Sequence, residues 1–157
     1  MKVILQRCLD ASVTVNNKCV GKIDKGLMLL IGFTENDSTK EIDYMIDKII
    51  NLRIFDDDNG VMNKSLIDIN GSILSISQFT LYADSKKGRR PSYTKALKGE
   101  EAIKLYQLFN TKLKEELTKL NETSKVEEGI FGADMKVKFT NDGPVTIILE
   151  KEGDNNG

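Results

Sequence analysis

The chain has 157 residues, with 23 Lys plus Arg against 24 Asp plus Glu and a formal net charge of −1. That length suits one domain with a core that needs no staples. A balance this close to neutral gives no global field for nucleic acid, so an anionic partner has to be met by a local patch. The chain contains no histidine, which removes Ser-His-Asp and Cys-His nucleophile systems, helix-borne zinc sites with paired histidines, and the usual acid or base at neutral pH. The two cysteines, Cys8 and Cys19, have neither a metal spacing nor the number of a disulfide framework. Both are expected to be reduced and buried. The segment Met1 to Arg7 is too short in apolar residues for a signal peptide, and no run is long enough to span a membrane. A cytoplasmic protein with no membrane partner is the expectation.

In chain order, residues 3–9 read as a strand that carries the polar pair Gln6-Arg7. Ser12-Val13-Thr14-Val15 alternates up to the turn pair Asn16-Asn17, and residues 18–23 read as the return strand of a hairpin. Residues 27–31 form a continuous apolar run after Gly26, which suits a central strand. Ser38-Thr39-Lys40-Glu41 has the form of a capping box. Ile42, Met45, Ile46, Ile49 and Ile50 follow at helical spacing, so a helix is predicted over about 38–51.

Residues 52–55 read as another strand, and Asp56 to Gly60 as a tight acidic turn. A calcium loop fails there on spacing, because Gly60 at the sixth position puts Phe55 first and Leu66 twelfth. Asn59-Gly60 supplying positive φ accounts for the turn without a metal. Ile67-Asp68-Ile69 and residues 73–76 flank Asn70-Gly71, a strong hairpin signal, and the second arm runs on through Ser77 to Thr80. Pro91 breaks the pattern. Residues 99–120 carry Ala102, Leu105, Tyr106, Phe109, Leu113 and Leu117 at helical spacing, which predicts a second, longer helix. Residues 129–133 are a glycine-interrupted apolar stretch, and residues 135–139 and 145–149 read as strands. Many strands with two helices define an α+β class, with a largely antiparallel, barrel-like sheet. One domain is expected over 1–150 and a flexible acidic tail over 151–157.

Four stretches can carry chemistry. Ser77-Gln78-Phe79-Thr80-Leu81-Tyr82-Ala83 delivers two hydroxyls, an amide and two aromatics at the end of an apolar strand. It is either a polar strand end satisfying nearby backbone or a set of oxyanion donors. Thr80 as a nucleophile would lack a histidine to activate it. Lys86, Lys87, Arg89 and Arg90 put four charges in five residues, either as a solvated loop or as a phosphate clamp. Phe79, Tyr82 and Tyr93 lie close enough in sequence to stack on a base. Gly143-Pro144 is either a turn opening the last strand or a close backbone approach to a ligand. Arg7 has its guanidinium in solvent or clamps backbone carbonyls.

Taken together, these stretches resemble the D-aminoacyl-tRNA deacylases, first described as D-tyrosyl-tRNA deacylases. The resemblance covers nearly the full chain and is carried by residues 6–7, 11–15, 51–55, 77–83, 87–91, 131–135 and 141–146. It implies a homodimer with two active sites at its interface. Each would combine Ser77, Gln78, Phe79 and Thr80 of one subunit with Gly143 and Pro144, joined by a cis peptide, of the other, and Arg7 would hold that segment. The terminal adenosine is expected near Phe131, Gly132, Ala133 and Met135, with the cations of residues 86–90 on the tRNA backbone. The implied reaction is hydrolysis of the ester in D-aminoacyl-tRNA and glycyl-tRNA, a chiral proofreading step. Aminoacylated tRNA is the implied partner, with no DNA, no cofactor and no metal. Such an ester is already activated, so positioning and oxyanion stabilisation go far. Whether Thr80 or the vicinal ribose hydroxyl activates water stays open, and a non-catalytic module for tRNA 3′ ends is the alternative.

Overall fold

The computed structural model describes residues 1–153, so residues 154–157 of the expected acidic tail lie outside the described residues. Strands β1 (Lys2–Val15) and β2 (Lys18–Gly32) form one long antiparallel hairpin. Its turn is Asn16-Asn17, with φ of 50° and 64°, the left-handed pair that matches strand twist. Each arm was expected as two shorter strands. Pairing continues because Asp10, at φ 50°, and Gly26, at φ 153°, absorb the interruptions. At Gly26 a Cβ would lie 1.8 Å from the Ser72 carbonyl oxygen, so only glycine allows the neighbouring strand to approach.

The remaining strands complete a sheet in the order β6-β5-β2-β1-β7. β5 (Ser72–Ser77) runs parallel to β2, and β6 (Val126–Glu128) runs parallel to β5. β7 (Lys136–Glu150) is antiparallel to β1. The α+β class stands, but the sheet is mixed, because each helix lies in a crossover connection. Helix α1 (Thr39–Asn51) falls between β2 and β5, and α2 (Gly99–Leu120) between β5 and β6. Both helices match their expected spans. Ser38 and Glu41 form the capping box, with the Ser38 N–H donating to Glu41 Oε2 at 2.7 Å.

Three local readings change. Asn70-Gly71 joins no hairpin. Ser65 and Asp68 exchange side-chain bonds, the Leu66 carbonyl accepts the Gly71 N–H at 3.0 Å, and residues 66–70 close as a turn. Of residues 52–55 only Phe55 enters a strand, β3 (Phe55–Asp56), paired with β4 (Met62–Lys64). The Leu52 N–H instead caps α1 on the Lys48 carbonyl. The two strands expected over 135–149 are one, β7, which runs past Gly143-Pro144.

Alternating residues of β2 divide the core. Leu27, Leu29 and Ile31 face both helices, meeting Ile42, Met45, Phe109 and Leu113. Met28 faces the other way, with Cys8, Val13, Leu74 and Ile76, and there Met135, Val137 and Phe139 close over it. Side chains of the β7 end thus reach those of β5, although β1 and β2 lie between them, so the sheet is curled. Cys8 is buried as expected, but Cys19 is exposed, because it sits beside the hairpin turn. Burial pushes the Cys8 thiol up to about 12. Since the thiolate is the nucleophile, iodoacetamide at neutral pH should modify Cys19 and spare Cys8 until the chain unfolds. Equal labelling of both in the native protein, read by mass spectrometry, would contradict this burial.

Candidate active site

Strand β5 stops at Ser77, earlier than expected, and residues Phe79–Tyr82 form a single 3-10 turn. The turn docks on the end of β2. The Gln78 N–H donates to the Ile31 carbonyl at 2.7 Å. A Cβ on Gly32 would come within 3.0 Å of the Gln78 carbonyl oxygen and 3.1 Å of Leu81 Cβ, so Gly32 gives the turn its seat. Gln78 Nε2 donates to Thr80 Oγ1 at 2.5 Å. That bond occupies a lone pair of the hydroxyl and leaves its proton free to donate, which suits an oxyanion donor better than a nucleophile.

The aromatics separate. Phe79 is 45% exposed and meets Tyr93 edge-on, with ring centroids 5.2 Å apart. The Lys98 amine stands 5.2 Å from the Phe79 centroid and 5.5 Å from that of Tyr93. Nothing in the sequence pointed to Lys98, since its pairing depends on how the 93–98 loop folds back. Tyr82 is only 4% exposed and packs against Gly32, so it is not open for base stacking. Burial raises its phenol, and its hydroxyl has no partner among the described residues.

Ser77, Gln78 and Phe79 form one side of a pocket of about 290 Å³, and Phe131, Gly132, Ala133 and Met135 form the other. That volume sits at the lower end of ligand sites, roughly 300–1,000 Å³. Two stretches far apart in sequence meet there because β6 pairs with β5 and the Gly129 N–H donates to the Ser75 carbonyl at 3.0 Å. Gly132, at φ 77°, turns the chain back toward β7. Ile76 and Val137 complete the lining. Sequence reading missed them because they look like ordinary strand interior.

Gly143 and Pro144 do not line this pocket. They are exposed on β7, and the peptide bond between them is cis. Opposite them sits Arg7, 8% exposed, so the reading of a solvated guanidinium falls and the clamp stands. Its Nε donates to the Asp142 carbonyl at 3.0 Å, and Nη1 donates to the Ile54 carbonyl at 2.9 Å and to Asp56 Oδ1 at 3.3 Å. β7 loses register here. Gln6 pairs with Thr146 and Cys8 with Asn141, so residues 142–145 bulge opposite Arg7 alone. Asn141 bridges the bulge, accepting from the Val145 N–H at 3.2 Å and donating to Thr146 Oγ1 at 3.1 Å. Gly143 has φ 127°, and a Cβ there would lie 3.1 Å from Arg7 Nη2.

The basic loop is pinched off by paired Asp84 and Ser92, each N–H donating to the other's carbonyl at 2.8 Å. Lys86, Lys87, Arg89 and Arg90 are exposed at its tip. Among the described residues no group of three or more His, Cys, Asp or Glu is placed to hold a metal, and no helix is long and apolar enough to cross a membrane.

Comparison with known proteins places this chain in a class. The sequence profile described as D-Tyr-tRNA(Tyr) deacylase matches residues 4–150. The D-aminoacyl-tRNA deacylase of Flavobacterium psychrophilum is 56% identical over 152 residues, covering 97% of this chain and 98% of that protein. The protein of the same name from Brevibacillus brevis is 54% identical, covering 96% and 99%. Among solved structures, the c-Myc DNA unwinding element binding protein superposes with TM-score 0.88 at 40% identity, over 98% of this chain and all of that one. A probable eukaryotic D-amino acid tRNA deacylase superposes with TM-score 0.79 over 94% of this chain and 97% of that one, and at 19% identity it shares the fold alone. The fold and the family are those of a hydrolase, a deacylase. The chain belongs to the D-Tyr-tRNA(Tyr) deacylase family, and the alternative of a non-catalytic module is set aside.

Arg7→Met keeps the stem of the side chain but leaves the Asp142 and Ile54 carbonyls without their charged donor. At roughly 1–3 kcal/mol for each of the two orphaned acceptors, unfolding in urea should show a loss of about 2–6 kcal/mol. A loss near zero would mean the bulge holds its shape without the clamp.

Proposed function

We propose that this chain hydrolyses the ester joining a D-amino acid, or glycine, to the 3′-terminal adenosine of tRNA, and that it does so as a cytoplasmic homodimer. The observation that carries the reading is the pocket that joins Ser77, Gln78 and Phe79 to Phe131 and Met135, apolar at its base and polar at the strand end. The adenosine sits on the Phe131–Met135 side, which brings its aminoacyl ester against the 78–80 turn. Water adds to the ester carbonyl, and the charge that develops on oxygen meets the Thr80 hydroxyl and the backbone N–H groups at the start of the turn. The bond to the ribose oxygen then breaks and that oxygen takes a proton, leaving free amino acid and tRNA. The vicinal ribose hydroxyl activates the water, in keeping with a chain that has no histidine.

Chirality is set by exclusion. Gly143 and Pro144 are exposed and lie outside their own subunit's pocket, while Arg7 holds the residue before them. β7 is an edge strand with Ile148 64% exposed, which supports a second copy on that side. In the dimer the Gly143-Pro144 backbone enters the partner's pocket, where its carbonyls meet the substrate amino group and fill the space an L side chain needs. A wall of backbone has no rotamers to change, so it rejects every L residue, whatever its size. D side chains point outward, and glycine has nothing to reject. The DNA element in the name of one structural relative is said of that protein and is not carried over.

A panel of D-, L- and glycyl-tRNAs tests this reading, with release of free amino acid measured for the wild type and Pro144→Ala. The wild type should cleave the D and glycyl substrates and spare L-alanyl-tRNA, and Pro144→Ala should lose part of that discrimination. Efficient cleavage of L-alanyl-tRNA by the wild type, or full activity of a monomer, would overturn the cross-subunit wall. For the basic loop, neutralising Arg89 and Arg90 together should weaken tRNA binding. It should also flatten the log–log salt dependence by about 0.7–0.9 for each phosphate that is no longer neutralised, with D over L preference intact. An altered preference at an unchanged salt slope would place the loop in the amino-acid pocket instead.

A further inference from the structure

A buried polar junction lies directly behind the pocket and takes no part in the chemistry above. Tyr106 of α2 is buried and donates its hydroxyl to the Ser75 carbonyl at 2.7 Å. The same carbonyl accepts the Gly129 N–H at 3.0 Å. Ser75 Oγ, also buried, donates to Asn110 Oδ1 one helical turn further along α2, at 2.6 Å. The Tyr106 ring rests on Phe131, with centroids 6.0 Å apart and planes at 47°. Ser75 stands two residues before Ser77, and Gly129 two before Phe131. A single carbonyl thus anchors the strands that lead into both walls of the pocket.

Core packing alone does not call for this arrangement. α2 fills the core with Ala102, Phe109, Leu113 and Leu117, and phenylalanine at 106 would bury as well as tyrosine. A buried hydroxyl has to be hydrogen-bonded to break even, and the junction still leaves Asn110 Nδ2 buried with no partner among the described residues. An apolar set of the same shape would be at least as stable. The ladder that holds the far wall is also short, since β6 pairs with β5 over only Val126, Glu127 and Glu128. Gly129 is wedged as well, because a Cβ there would come 2.5 Å from Met135 Sδ. The Tyr106 hydroxyl bonds where that ladder ends, and its ring supports the first wall residue beyond it.

We propose that Tyr106 is a positioning residue for substrate binding. Its hydroxyl and ring together set the distance between the Ser77–Phe79 wall and the Phe131–Met135 wall. It therefore governs affinity for the terminal nucleoside and leaves the rate of ester cleavage alone. The inference rests on the reading of this pocket as the site of the tRNA 3′ end.

The test is steady-state deacylation of D-tyrosyl-tRNA by the wild type, by Tyr106→Phe, and by Leu117→Val, which removes one methylene from the same helix face away from the pocket. Tyr106→Phe keeps the ring and the core volume, so it folds. Its KM should rise about fivefold with kcat within twofold of wild type, the pattern of lost binding shared by ground and transition states. Leu117→Val should lower Tm without moving KM. An unchanged KM in Tyr106→Phe, a fall in kcat alone, or an equal KM shift in Leu117→Val would overturn the inference while the wild type remains a deacylase. A wild type that leaves D-tyrosyl-tRNA intact would overturn the reading of the pocket, and this inference with it.

Discussion

A guanidinium in the middle of an apolar strand is the constraint on which much of this structure depends. Arg7 lies on β1 between neighbours that pair on both sides, and it is nearly closed to solvent. A charge so placed must be surrounded by acceptors. β7 supplies one by giving up its register, so that residues 142–145 arch outward opposite Arg7 and present the Asp142 carbonyl. The segment after α1 supplies the others, through the Ile54 carbonyl and Asp56. The same contacts that solvate the charge fix an exposed Gly143-Pro144 at a defined place on an edge strand.

The second constraint is the absence of histidine. No imidazole is therefore available as acid, base or nucleophile. The 78–80 turn is shaped by backbone geometry and neutral side chains. It is seated on Gly32, held by the Gln78–Ile31 bond, and its threonine hydroxyl is oriented by the Gln78 amide. None of these groups has to change charge for the site to form. Curvature of the sheet then brings Met135 and Val137 over Ile76, which closes the pocket from the far side.

Local features were legible in the residues themselves. Both helices came from apolar spacing, and the start of α1 from the Ser38–Glu41 box, because periodicity and capping act within a few residues. The Asn16-Asn17 turn was legible for the same reason. The two walls of the pocket could each be named from sequence, through the resemblance carried by Ser77–Ala83 and Phe131–Met135. Their meeting in one pocket was not a matter of local pattern.

What the sequence determined by itself was the α+β class, the two helices, the exclusion of histidine chemistry, and the stretches that carry the family resemblance. The tertiary structure alone decided which strands pair and which side chains stay open. Asn70-Gly71 carries a hairpin signal, yet β5 pairs in parallel with β2, because α1 and the β3–β4 hairpin intervene and place it there. Tyr82 and Phe79 are both aromatic and three residues apart, but Gly32 takes one ring into the core while the other stays in solvent. Arg7 could be read as solvated or clamped until residues 54, 56 and 142 were in place around it. Strand pairing and burial join residues distant in the chain, and no short window of sequence contains both partners.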